Sequence, residues 1–133
     1  MGMVIVDSTI WIDYFRGVRC AETDYLDREL GRQPFGLIDL ILCEVLQGVR
    51  DDASFANVLS ELIKFEIFET GGRSLAIQAA RNFRTLREQG HTVRRTIDCL
   101  IATFCIENGH SLLHHDRDFD LFELVFGLPV IHA

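Results

Sequence analysis

Lysine is nearly absent from this 133-residue chain: Lys64 stands alone, and the other basic side chains are arginine or histidine. Proline is scarce too, with only Pro34 and Pro129. No Pro-rich linker, internal repeat or low-complexity segment divides the chain, so residues 1–133 read as a single domain. No apolar run approaches the roughly 18–20 residues of a membrane span, and the stretch from Gly36 to Gly48 is interrupted by Asp39 and Glu44. The amino terminus lacks a basic segment ahead of an apolar one, so no secretory leader is expected. The four cysteines, Cys20, Cys43, Cys99 and Cys105, form no CxxC pair, and no Cys/His spacing fits structural zinc. Cys43, Cys99 and Cys105 lie in apolar stretches, where a reduced thiol acts as a small hydrophobe. A cytoplasmic, disulfide-free protein without a membrane partner is the expectation. Positive charge is also in deficit. A net charge of −7 argues at first against nucleic-acid binding through a generally basic surface.

What is present is a globular composition, 48% apolar and 25% charged. Met3–Val6 is wholly apolar and mostly β-branched, which predicts a short strand buried on both faces. Ser8 or Thr9 can cap a helix running to about Arg16, and Gly17 stops it. A second helix fits Ala21–Leu30, and Phe35–Ile38 is a short strand or approach loop. Asp39 is placed to cap a helix ending at Gly48; another helix fits Asp51–Ile63, and Phe65–Glu69 alternates like a strand. Ser74–Gln89 places Leu75, Ala79, Phe83 and Leu86 on one helical face, with Arg81 and Arg84 roughly opposite. Thr96 can cap a helix through Asn108. Ser111–His115 reads as a strand, Phe119–Phe122 as a short helical turn and Val130–His132 as a last strand. Alternating strands and helices with short links predict an α/β fold whose parallel sheet is covered by helices on both faces. Ligands of such sheets bind outside the carboxyl ends of the strands.

Four acids stand out by position. Asp7 follows the apolar run Met3–Val6, Glu44 is the lone charge in Leu40–Val49, Asp98 is the only charge between Arg95 and Glu107, and Asp116 follows Ser111–His115. Singly, each has an ordinary explanation: a strand-to-helix turn for Asp7, a first-turn acid favoured by the helix dipole for Asp98, a polar turn for Asp116. Glu44 has no helix terminus to complement. In a doubly wound sheet, Asp7 and Asp116 can emerge at strand ends, with Glu44 and Asp98 presented from adjacent helices. Two carboxylates ~5 Å apart repel by roughly 3 kcal/mol at an effective dielectric of 20, so four together need cations or take up protons. An oxygen-only cluster suits Mg²⁺ or Mn²⁺ better than Zn²⁺. The matching chemistry is metal-assisted attack of water on a phosphodiester.

These segments resemble the PIN-domain ribonucleases, specifically the VapC-type toxins of bacterial toxin–antitoxin modules. The resemblance rests on Val4-Ile5-Val6-Asp7-Ser8-Thr9-Ile10-Trp11-Ile12, Glu44-Val45-Leu46-Gln47-Gly48, Asp98-Cys99-Leu100-Ile101-Ala102 and Leu112-Leu113-His114-His115-Asp116-Arg117-Asp118-Phe119, in the family's order across almost the whole chain. It implies a three-layer α/β/α domain with a short central parallel sheet. It also implies that Asp7, Glu44, Asp98 and Asp116 hold Mg²⁺ or Mn²⁺, and that the activity is endoribonucleolytic, on tRNA or other structured RNA. Thr9 falls on the family's Ser/Thr position and either orients Asp7 or caps the helix; Asp118 is a supporting acid. His114 departs from the Thr or Ser of many relatives, and Ser8-Thr9 reverses the commoner order. The expected partners are RNA, a VapB-like antitoxin whose carboxyl-terminal segment covers the site, and a second copy of the chain within the toxin–antitoxin complex.

Cationic charge is concentrated locally. Between Arg73 and Arg95 lie Arg73, Arg81, Arg84, Arg87, Arg94 and Arg95 against the single acid Glu88. Arg81, Arg84 and Arg87 share one helical face suited to phosphates or simply to water, and Arg94 and Arg95 adjoin Asp98. His114 and Asp116 fall on one side of an extended strand, with His115 beside them, so a His/Asp pair competes with a packing role. Trp11, Tyr14 and Phe15 form the packing face of the first helix. A phosphatase of the haloacid-dehalogenase type needs a second Asp where Thr9 stands, and a receiver module needs a late Lys that is missing. The remaining alternative is a catalytically weak PIN-type module that binds RNA or protein; its signature is a lost acid, and all four are present.

Overall fold

A computed structural model describes residues 2–133. Four strands, β1 (Val4–Val6), β2 (Phe35–Ile38), β3 (Glu66–Phe68) and β4 (Ser111–Leu113), form one parallel sheet in the order β3-β2-β1-β4. The helices are α1 (Ser8–Phe15), α2 (Ala21–Glu29), α3 (Asp39–Gln47), α4 (Asp52–Leu62), α5 (Gly72–Glu88), α6 (Thr96–Asn108) and α7 (Asp118–Phe126). β1 and β2 are buried throughout, as unbroken apolar runs in a covered parallel sheet must be. Gly36 is required where β2 passes β3: a Cβ there would lie 3.0 Å from the Glu66 carbonyl oxygen and 2.7 Å from the Met3 sulfur.

The right-handed crossover rule places α1–α4, which link β1, β2 and β3, on one face of the sheet. The chain then doubles back from β3 to β4, which puts α5 and α6 on the other. α5 buries Leu75, Ala79 and Leu86, as its periodicity predicts, and adds Asn82, whose amide donates to Thr103 Oγ1 of α6 at 3.0 Å. Trp11 of α1 is fully buried, its ring centroid 5.0 Å from that of Phe65 and 6.0 Å from that of Phe15. The reversal in strand order falls between β1 and β4, so the crevice at their carboxyl ends lies beside Asp7 and Asp116.

Several local expectations are corrected. Val130–His132 is no strand but a single parallel bridge from Val130 to Leu112, because β4 ends at Leu113 and offers Ile131 and His132 nothing further to pair with. The short turn at Phe119–Phe122 is a full nine-residue helix, α7, which buries both phenylalanines and stops at Gly127 with φ 70°. β4 ends at Leu113, since the His114 ring accepts the Asp116 amide and turns the chain. Ile38 and Arg95, not Asp39 and Thr96, are the cap residues of α3 and α6; the Asp39 carboxylate instead accepts from the Thr70 amide and hydroxyl. All four cysteines are free; Cys99 and Cys105 are buried as expected, whereas Cys43 is exposed on α3.

Candidate active site

Asp7 leaves β1 with its amide donating to the Leu113 carbonyl at 3.0 Å, while its own carbonyl begins the hydrogen bonds of α1. Asp7 itself is thus the helix cap, and the Thr9 hydroxyl is free to donate to Asp7 Oδ2 at 3.0 Å. Asp7 Oδ1 is buried without a hydrogen-bond partner. With only 2% of the residue exposed, burial pushes the carboxyl up to about 6. The Thr9 hydroxyl and the Ser8 amide oppose that rise, and the negative charges of Asp98 and Glu44 add to it.

Glu44 projects from α3 toward α1. Ser8 Oγ donates to Glu44 Oε1 at 3.1 Å, and Arg95 Nη2 lies 3.5 Å from Oε2. Asp98, in the first turn of α6 and 1% exposed, takes two bonds from Arg95: Nε to Oδ2 at 3.2 Å and Nη2 to Oδ1 at 3.0 Å. These interactions hold the Arg95 guanidinium well above its ordinary range, the Asp98 hydrogen bond being the largest cause. Asp116 and Asp118 lie just past β4. The Asp118 amide donates to Asp116 Oδ1 at 2.9 Å, and Arg94 Nε donates to Asp118 Oδ2 at 3.0 Å.

One oxygen from each of Asp98, Asp116 and Asp118 lies within 4.8 Å of the others. The structure therefore brings Asp118, expected only as a supporting acid, into the tightest group, with Asp7 and Glu44 adjoining it. These oxygen donors can hold a hard divalent cation. The orphaned Asp7 Oδ1 is a further donor with nothing else to satisfy it. Of the arginines, Arg94 and Arg95 meet the acids, whereas Arg81 lines a separate cavity of about 540 Å³ with Glu69 and Glu107, near the carboxyl end of α6. Arg84 is exposed on α5. His114 packs on Phe119 and serves the Asp116 amide, and His115 Nε2 lies 3.3 Å from Asp13 Oδ2. Two roles were not legible beforehand. Ser8 positions Glu44, and Arg95 joins Asp98 to Glu44; the i, i+3 spacing of Arg95 and Asp98 is the one signal in the sequence.

Fold and site together define a parallel α/β domain with an acidic centre at the switch point of its sheet. The chain belongs to the PIN domain family, whose model matches residues 4–123. It is similar to the VapC ribonuclease Mb1587 of Mycobacterium bovis and to Ribonuclease VapC11 of Mycobacterium tuberculosis. Each is 29% identical over 135 residues, covering 95% of this chain and 96% of the relative. The fold is shared with VapBC2 from Rickettsia felis, solved bound to a promoter DNA fragment, at a TM-score of 0.74 and 15% identity over 96% of both chains. VapBC-1 from nontypeable Haemophilus influenzae gives a TM-score of 0.73 at 14% identity, again over 96% of both.

Proposed function

We propose that this protein is a Mg²⁺- or Mn²⁺-dependent endoribonuclease and the toxin of a VapBC-like toxin–antitoxin module. The observation that carries this reading is the convergence of Asp98, Asp116 and Asp118 within 4.8 Å, beside the buried Asp7 and the partly buried Glu44. Relatives named as ribonucleases along nearly the whole chain support it. Asp98, Asp116, Asp118 and Asp7 would hold the ion, with Glu44 completing the negative field. The chemistry such an ion supplies when bound is activation of water at neutral pH and neutralisation of charge building on the phosphodiester. Asp7 would turn its unpartnered Oδ1 to that ion, while the Thr9 hydroxyl holds Oδ2 in place. Arg94 and Arg95 supply planar donors suited to phosphate. Structured RNA such as tRNA is the proposed substrate class. The VapBC complexes that share the fold support a VapB-like antitoxin as partner; the reading further has that antitoxin cover the site and the toxin pair with a second copy within the assembly.

Cleavage of a mixed structured RNA pool with Mg²⁺ or Mn²⁺ tests the reading, with EDTA and Asp98→Asn controls. Cleavage that needs the ion and is lost in the variant is expected. Equal cleavage by both proteins, or none by either at high enzyme concentration, overturns it. Sequencing RNA ends after induction in cells identifies the target.

A further inference from the structure

The acidic centre already carries its own cations. Arg94 spans one half of it, with Nε 3.0 Å from Asp118 Oδ2 and Nη2 3.7 Å from Asp116 Oδ1. Arg95 spans the other, reaching both oxygens of Asp98 and Oε2 of Glu44. Extended backbone at Arg95 (φ −129°, ψ 130°) lets the two neighbouring side chains diverge to these two targets. We propose that Arg94 and Arg95 form a built-in counter-ion that a divalent cation displaces, and that the freed guanidiniums then grip RNA phosphate, so that metal loading and RNA binding reinforce each other. This rests on the ribonuclease reading and assigns the two arginines a moving role within it.

Three features carry the exchange. First, the bonds overlap: both Asp98 oxygens and Asp118 Oδ2 accept from guanidinium N–H groups, so an ion that takes those oxygens competes with the arginines for them. A buried carboxylate such as Asp98 keeps its charge only with a partner; either cation serves, and the divalent ion brings twice the charge. Second, the two sides differ in freedom. The arginine side chains are 71% and 52% exposed, while those of Asp98 and Asp118 are 1% and 14% exposed. Buried Val93 anchors the loop just before the pair, so side chains can swing without moving the backbone. Third, a guanidinium fork that fits a carboxylate also fits a phosphate. Released at the mouth of the site, it is positioned for the substrate. By linkage, if metal raises RNA affinity by some factor, RNA raises metal affinity by the same factor.

The test uses metal-stripped, full-length protein and two binding measurements. Mn²⁺ alone is titrated by electron paramagnetic resonance into wild type, Arg95→Gln and Arg95→Lys. A fluorescent RNA hairpin with phosphorothioate linkages, which slow cleavage, is titrated by anisotropy with Mn²⁺ or with EDTA. The proposal expects Arg95→Gln to bind Mn²⁺ more tightly than wild type by roughly fivefold or more, with Arg95→Lys between them. It expects Mn²⁺ to tighten hairpin binding by wild type within roughly the 5- to 150-fold range of allosteric couplings, and that gain to shrink in Arg95→Gln. Mn²⁺ affinity unchanged or weakened in both variants overturns the exchange while leaving the ribonuclease reading in place. Wild type that binds neither Mn²⁺ nor hairpin overturns both.

Discussion

Asp7 carries an ionisable group at nearly complete burial, and its environment sets a sign that can be measured. Its carboxyl rises from 3.8 to about 6 on folding, chiefly through desolvation. The folded state thus favours the proton: the contribution of Asp7 to stability is greatest below pH 3.8, falls as pH rises to about 6, and stays reduced above that. A shift of this size corresponds to about 3 kcal/mol. Asp7→Asn removes the ionisation and keeps an oxygen for the Thr9 hydroxyl. In EDTA the variant is expected to exceed wild type in urea unfolding at pH 8 by about 1–3 kcal/mol, with the advantage vanishing near pH 4. An equal advantage at both pH values contradicts the assignment. Thr9→Val removes the hydrogen bond that opposes the rise, so the Asp7 carboxyl moves higher still. In EDTA, the fall in stability with rising pH should therefore extend to higher pH than in wild type, read by urea unfolding across the pH range. The hydroxyls of Ser8 and Thr9 also show where sequence reasoning stops. A Ser or Thr after a strand reads as a cap, but here both hydroxyls serve carboxylates, Glu44 and Asp7. That choice depends on α3 lying against α1, which no local pattern contains.

Among the elements, those with unbroken apolar runs or clean helical periodicity were legible: β1, α5 and α6 appear close to where Met3–Val6, Ser74–Gln89 and Thr96–Asn108 place them, whereas Phe35–Ile38, open between strand and loop in the sequence, is the strand β2. α7 was only partly so, because acids alternate with apolar residues through Asp118–Glu123 and hide a helix whose Phe119 and Phe122 point into the core. The four candidate acids were recognisable because each carboxylate interrupts or ends an apolar segment. The close grouping of Asp118 with Asp98 was not, since it depends on how α6 meets the end of β4. The same helix makes a separable prediction. Asn82 donates to Thr103 across the buried α5–α6 interface, more than one helical turn along α6 from Asp98. Thr103→Val keeps the shape and orphans the Asn82 amide, which should cost about 1–3 kcal/mol. Urea unfolding should show that loss, with Mn²⁺ affinity at 25 °C equal to wild type. A variant as stable as wild type would mean that the interface does not depend on this bond.

At the scale of the whole molecule, a net charge of −7 and an RNA substrate are compatible only through the distribution of charge. Asp7, Glu44, Asp98, Asp116 and Asp118 gather five of the twenty acids around the carboxyl ends of β1 and β4, where the proposed divalent ion would offset them. The arginines do not act as one basic face. Arg94 and Arg95 stand at the acids, while Arg81 lies beside Glu69 and Glu107 along the α5–α6 interface. Each Arg that neutralises a phosphate adds roughly one unit to the dependence of log affinity on log salt, through release of a counterion. With Mn²⁺ held constant and the phosphorothioate hairpin as ligand, Arg94→Ala and Arg95→Ala should each reduce that slope by about one. Arg81→Ala should leave it unchanged, because the neighbouring glutamates make its surroundings unfavourable for phosphate. A slope lowered by Arg81→Ala, and untouched at Arg94 and Arg95, would move the RNA path from the acidic crevice to the Arg81 cavity near the carboxyl end of α6.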